Sequence, residues 1–447
     1  MDKFDRQLRL WGKHGQQVLS KAQICIVGST LLASEILKNL VLPGATKFHL
    51  IKENSYVKLN SFLNVEDLKS LNESADFEEE IWDADLMGNQ EYWQHFDLII
   101  LTTRKKLLRD KLTCLSIPPM LVCSWNEFDG YVSFVSQEPH FVIESHRQHK
   151  FPDLRLDKPP QPILDFYESI KPSQLNQEQL SSLPFAVIIY HVLKSLNRSH
   201  VKVNRSSLRS EIRKLHNKVM PGSECLNFIE AERYSYLGLQ NSQKIPDNVL
   251  ECISLASPEP AVTFNSMFTG LVSSLKEYLK HPSSERQLPL SGVIPDMESS
   301  SEMYNAIQKA YLRRAAKDLN LFAEIAASHT TGIPFSHVKL FCNNVQNVRA
   351  VKTAVRIPTE EDCSSVEKSN PAAATILRKL INSNADIEAT DLSCDKSQIE
   401  LRYYPACSLL AGIVAQEAVK IVTHQFVPNE NTLIYDGKAG QVYTAKL

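Results

Sequence analysis

Glycine is scarce in this chain, at 14 of 447 residues, about 3% against a usual share of roughly 7%. Loops that wrap phosphate with clustered glycines are therefore not expected in number. The nine cysteines, at 25, 114, 123, 225, 252, 342, 363, 394 and 407, contain no Cys-x-x-Cys pair. That argues against a zinc ribbon, a thioredoxin-type redox centre and a dense disulfide framework. An excess of one charge is missing too, since 49 Lys and Arg face 51 Asp and Glu for a net charge of −2. A chain that works mainly by wrapping nucleic acid or coating an acidic membrane is argued against on that ground. No apolar run reaches the 18 or so residues of a membrane span, and Met1–Arg6 has no apolar signal segment. The cytoplasm or nucleus is the expected compartment.

What is present is the composition of a folded protein, 43% hydrophobic and 22% charged, with length for roughly three domains or one large domain carrying an insertion. The first stretch alternates strand and helix. Gln23–Val27 is a β-branched run, Leu32, Ile36 and Leu40 share one helical face, and Pro43-Gly44 ends the helix. Phe48–Ile51, Asp97–Leu101 and Met120–Cys123 supply further strands, and Asp129-Gly130 reads as a hairpin signal. Asp153–Pro162, charged and rich in proline, reads as a linker. Beyond it the periodicity is mostly helical, clearest from a capping box at Ser299 and Glu302 through Ala326. The α/β character returns with Ser408–Val422 and Thr432–Tyr435. The expected fold is α/β, a Rossmann-like, mainly parallel sheet with helices on both faces, interrupted by a large helical insertion. The boundaries are set at 1–160, 161–395 and 396–447.

Where such a fold places its glycine fingerprint, the turn reads Gly28-Ser29-Thr30-Leu31-Leu32-Ala33. Only Gly28 remains of the pattern, and side chains at Thr30, Leu31 and Ala33 would crowd a phosphate approaching the backbone. Lys52 stands where an acid would take ribose hydroxyls, with Glu53 next. After the third strand comes Thr102, and no Asp follows before Asp110 to hold magnesium. This is the shell of a nucleotide site without its chemistry. Neither a nucleotide nor a metal is expected in this chain.

Asp5-Arg6-Gln7-Leu8-Arg9-Leu10-Trp11-Gly12, Gly28, Glu35–Gly44 and Ala415–Ile421 resemble the adenylation fold of ubiquitin-activating-type enzymes, of the ThiF and MoeB kind. Within the insertion and its flanks, Val142–His146, Asp153–Pro159, Gly292–Met297 and Lys339–Cys342 resemble the regulatory, non-catalytic subunits of neddylation-activating enzymes. The resemblance implies a heterodimer whose catalytic subunit binds Mg-ATP, adenylates a ubiquitin-like modifier and captures it as a thioester. It implies that Arg6, and more weakly Arg9, reaches across to phosphates held by the partner, and that the insertion resembles a catalytic-cysteine domain lacking the cysteine. Three alternatives stay open. One is the equivalent sumoylation subunit, which typically lacks so large an insertion; another is a self-sufficient adenylating enzyme or dinucleotide-dependent oxidoreductase; the third is a free-standing scaffold. Cys225, Cys252, Cys342 and Cys363 lie in the insertion as expected inert thiols, His146 and His149 as solvated loop residues. Arg104, Lys105, Lys106 and Arg109 form a small basic patch.

Overall fold

The computed structural model describes residues 3–52, 65–83, 88–103, 112, 118–146, 152–199, 202–219, 221–222, 224–256, 264–329, 332–354, 356–383 and 402–447. Glu53, the basic patch, Cys114, His149 and Cys394 lie outside them. The chain forms two compact units, Met1–Ser145 with Ala350–Leu447, and His146–Arg349. The insertion thus begins and ends earlier than residues 161 and 395.

In the first unit, strands β1 (Gln23–Val27), β2 (Lys47–Lys52), β3 (Asp76–Ile81), β4 (Leu98–Leu101), β5 (Met120–Asn126), β6 (Asp129–Val135), β7 (Thr432–Asp436) and β8 (Gln441–Ala445) form one sheet. Their order is β8-β7-β6-β5-β4-β1-β2-β3. The five strands from β3 to β5 run parallel, and β6, β7 and β8 add antiparallel. Helices α1 (Asp5–Lys21), α2 (Leu31–Val41), α3 (Glu360–Ser369), α4 (Pro371–Ser383) and α5 (Tyr404–Thr423) belong to the same unit. Side chains of the central strands part into two cores. Ile24, Ile26, Leu98, Ile100, Leu121 and Cys123 pack with α2 and α5. Their neighbours Cys25, Val27, Ile99, Leu101, Met120 and Val122 pack with Ala373, Ala374, Leu377 and Leu380 of α4. Because both faces are covered, β1 and β4 read as unbroken apolar runs rather than alternating ones.

Several local expectations shift. The hairpin turns at Glu127-Phe128, with Glu127 at φ +55°, so Asp129-Gly130 already belongs to β6. The edge strand β3 is DFEEEI, too acidic to announce itself; an edge strand tolerates such charge and is shielded by it. Glu360–Ser383 is two helices on the sheet: Thr359 and Asp362 form a capping box at α3, and α4 supplies the apolar stripe above. By length and composition α5 is apolar enough to cross a membrane; twelve of its twenty residues are buried in the unit, which accounts for its apolarity.

The second unit is helical. Phe185–Arg198 buries nine residues in a core shared with Ile163, Tyr167, Leu208, Phe228, Ile307 and Tyr311. The long helix Ser301–His329 starts one residue later than the box anticipated, since Ser300 Oγ, not Ser299, accepts from Met303 N at 3.2 Å. The supposed linker is part of this core: Leu154 and Leu156 are buried, and Arg155 is 3% exposed. Arg155 is satisfied by Asp153 at 3.0 Å, Gln287 Oε1 at 3.0 Å and Leu288 O at 2.7 Å. A buried guanidinium is tolerable only when paired and fully hydrogen-bonded. A second such cation, Arg314, meets Asp318 at 2.9 Å and Glu285 at 2.8 Å.

Candidate functional site

The turn after β1 is closed by its own chain. Gly28 has φ +119°, and a Cβ there would lie 2.6 Å from Thr102 Oγ1 and 2.7 Å from Thr103 N. The surviving glycine is therefore explained by the approach of the β4 end, where Thr102 N and Oγ1 donate to Val27 O at 2.9 and 3.2 Å. Thr30 is the N-cap of α2, and its Oγ1 accepts from Ala33 N at 3.2 Å. That N–H is one a bound phosphate would need. Leu31, Leu32 and Ala33 are buried and fill the space beneath. Ser29 Oγ is buried with no partner among the described residues, and one hydroxyl does not replace a cradle of N–H donors. Lys52 pairs with Glu79 of β3 at 2.6 Å, in the place of a ribose acceptor. Gly28, Thr30, Leu31, Ala33 and Thr102 are thus brought together, and these residues do not fit a nucleotide.

Two acids in the motif helices are structural. Glu35 of α2 is buried, accepts from Ser408 Oγ of α5 at 3.2 Å and lies 3.8 Å from Lys38 Nζ. Beside it the Tyr404 hydroxyl is pushed up by partial burial, the hydrogen bond to Glu35 and its charge. Glu417 of α5 accepts from Lys420 Nζ at 2.6 Å and from Asn429 N at 2.8 Å. Much of the Glu35–Gly44 and Ala415–Ile421 signal therefore reflects the packing of two helices on a sheet.

The N-terminal arm behaves differently. Arg9 pairs with Asp5 at 2.8 Å, an exposed pair one helical turn apart. Arg6 is exposed and has no ion pair or hydrogen bond among the described residues. Asp5, the acid beside Arg6 in sequence, is turned to Arg9 instead. The two arginines of the motif are thereby separated: one is tied down, the other presents its whole donor fork. No hydrogen bond or ion pair joins either to the Gly28 turn among the described residues.

Nothing in the described insertion supports a nucleophile. Cys225, Cys252 and Cys342 are buried there and form no disulfide, and Cys363, expected in the insertion, is buried in α3 of the sheet unit instead. Burial pushes the Cys252 thiol up to about 12 and raises Cys342 and Cys363 as well, away from the thiolate that catalysis needs. No cluster of three or more His, Cys, Asp or Glu suited to a metal occurs among the described residues. One feature escaped the sequence: His140, fully buried with neither ring nitrogen bonded among the described residues, stacks on His424 at 4.8 Å. Burial holds its pKa well below the ordinary value, with the neighbouring His424 adding to the effect. Nothing in the run Pro139-His140-Phe141-Val142 marks that histidine as interior.

No family model matches the chain. Curated relatives do, over full length. The NEDD8-activating enzyme E1 regulatory subunit of Saccharomyces cerevisiae is 28% identical over 473 aligned residues, covering 100% of both chains. That of Danio rerio is 27% identical, covering 100% of this chain and 98% of its own. That of Drosophila melanogaster is 24% identical, with 100% and 97% covered. Among solved structures, the microcin C7 biosynthetic enzyme MccB is 11% identical over 31% of this chain and 48% of its own, with a TM-score of 0.26, a likeness that bears no further weight. From end to end, the chain is a homologue of the NEDD8-activating enzyme E1 regulatory subunits.

Proposed function

We propose that this chain acts as the non-catalytic, regulatory subunit of a heterodimeric activating enzyme in the neddylation pathway. In this reading the catalytic partner adenylates a ubiquitin-like modifier with Mg-ATP, and the present chain buttresses the partner's site and contributes Arg6 to it. The observation that carries the reading is the contrast between the Gly28 turn, whose Ala33 N–H is taken by Thr30, and Arg6, which is exposed and has no partner among the described residues. A guanidinium suits the task because it is permanently charged and presents a planar fork of N–H donors. Such donors stabilise charge that develops on phosphate oxygens as pyrophosphate departs. Leu10, Leu42 and Leu409, exposed on or just after α1, α2 and α5, supply apolar surface for a partner to cover.

The test is ATP–pyrophosphate exchange by the reconstituted heterodimer. Arg6→Ala is expected to lower exchange by about 10²-fold, the cost of removing one preorganised donor, with assembly unchanged by size-exclusion chromatography. Exchange equal to the unmodified heterodimer would reduce Arg6 to a surface residue.

A further inference from the structure

We propose that Gly12 is a positioning residue, the backbone pivot that aims the arm carrying Arg6. The inference rests on the role proposed for Arg6 and adds what holds that arginine in direction. Gly12 lies inside α1 at φ +66° and ψ 177°, a region open essentially to glycine alone. Packing does not explain the residue, since a Cβ built there meets nothing within 4 Å. At Gly15 and Gly44 the opposite holds: an added Cβ would strike Gln425 and Trp11, or Gln16 and Phe4. Gly15 is needed for space alone, Gly44 for space and for its φ of +103°, and Gly12 for its torsion angles alone.

The break has a purpose visible in its hydrogen bonds. In an unbroken helix, residues five apart lie about 140° round from each other. Here Trp11 Nε1 donates to Gln16 Oε1 at 2.9 Å, and Gln16 Nε2 donates on to Pro43 O at 2.8 Å. The Trp11 carbonyl, which an unbroken helix would give to the N–H of residue 15, accepts from Gln425 Nε2 at 3.0 Å. The joint is therefore clamped by the residues that follow α2 and α5, so its angle is fixed by the sheet unit. Arg6 stands six residues beyond the pivot, roughly 9 Å along a helix axis. A change of about 30° at Gly12 would move it by roughly 5 Å, while a displacement of about 1 Å can already cost 10²-fold in rate.

An L-residue at position 12 either bears the strain or lets the helix run on, and both re-aim the arm. The experiment compares heterodimers carrying Arg6→Ala, Gly12→Ala and both, by ATP–pyrophosphate exchange and by assembly. Gly12→Ala is expected to lower exchange tenfold or more with assembly intact, and the double variant to be no slower than Arg6→Ala alone. Gly412→Ala, at an open helical glycine, is the control expected to be silent. Loss of exchange in Arg6→Ala but none in Gly12→Ala overturns the pivot and leaves the Arg6 reading standing. Multiplying losses in the double variant also overturn it, because Gly12 would then act through something else. Unchanged exchange in Arg6→Ala removes both proposals together. Should Gly12→Ala fail to assemble, Trp11→Phe keeps an aromatic, though smaller, ring and deletes the bond to Gln16. A loss confined to the Arg6 background supports the pivot; no loss, or an equal loss in the Arg6→Ala background, sinks it.

Discussion

The turn at Gly28–Ala33 and the arm at Asp5–Trp11 belong to one unit and treat their polar groups in opposite ways. In the turn, the threonine at the head of α2 caps its own helix, and the chain's other end of the crevice, Thr102-Thr103, closes onto Gly28. In the arm, one arginine is paired and the other is exposed, with no hydrogen bond or ion pair among the described residues. A few side chains at the turn satisfy the backbone locally, while the arm carries the arginine proposed to act on a partner's site. The two features are separable, because no hydrogen bond or ion pair connects them among the described residues.

Substitutions can break or sharpen that contrast. The largest effect is expected at Gly28→Ala, which forces a Cβ into backbone at 2.7 Å and adds the cost of φ +119°. A destabilisation of about 2–4 kcal/mol follows, read by urea unfolding of the isolated chain, and a stable variant would undo the account of the closed turn. Arg6→Ala should reverse the pattern, leaving the unfolding midpoint within error while exchange by the heterodimer falls about 10²-fold. Thr30→Ala removes the N-cap acceptor and should cost about 1 kcal/mol with no gain of ATP binding by calorimetry. Arg9→Ala, losing an exposed pair, should cost no more than about 0.5 kcal/mol and leave exchange near that of the unmodified heterodimer. An exchange defect matching that of Arg6→Ala would mean the ion pair to Asp5 does not hold Arg9 back.

The sheet was legible where strands are buried on both sides. Ile24, Ile26, Ile99 and Ile100 form apolar runs of the kind that a parallel sheet covered on both faces produces. β3 was not, because Glu78, Glu79 and Glu80 sit on an edge that needs no apolar face. The run from Asp153 to Lys158 misleads for a different reason: Asp153 and Arg155 neutralise one another in the interior, and composition cannot tell a mutually paired charge from a solvated one. At the site, the loss of the glycine pattern could be read directly. That Gly28 serves Thr102 and that Gly12 bends where Gly15 packs are tertiary facts, set by contacts with segments tens to hundreds of residues away, whereas the choice of Arg9 over Arg6 by Asp5 is local, a pairing one helical turn along.

The pairing of Asp129 with Asp436 has a consequence for biosynthesis. β6 leaves the ribosome with one flank unmet, and its mate is some 300 residues downstream. At roughly 5–20 residues per second the wait is on the order of 15–60 s. During it an apolar strand edge stands open in a crowded cell, while His146–Arg349 can already condense around its own core. Nascent chains stalled within the helical stretch should therefore depend on holdase chaperones more than chains stalled after Ala445.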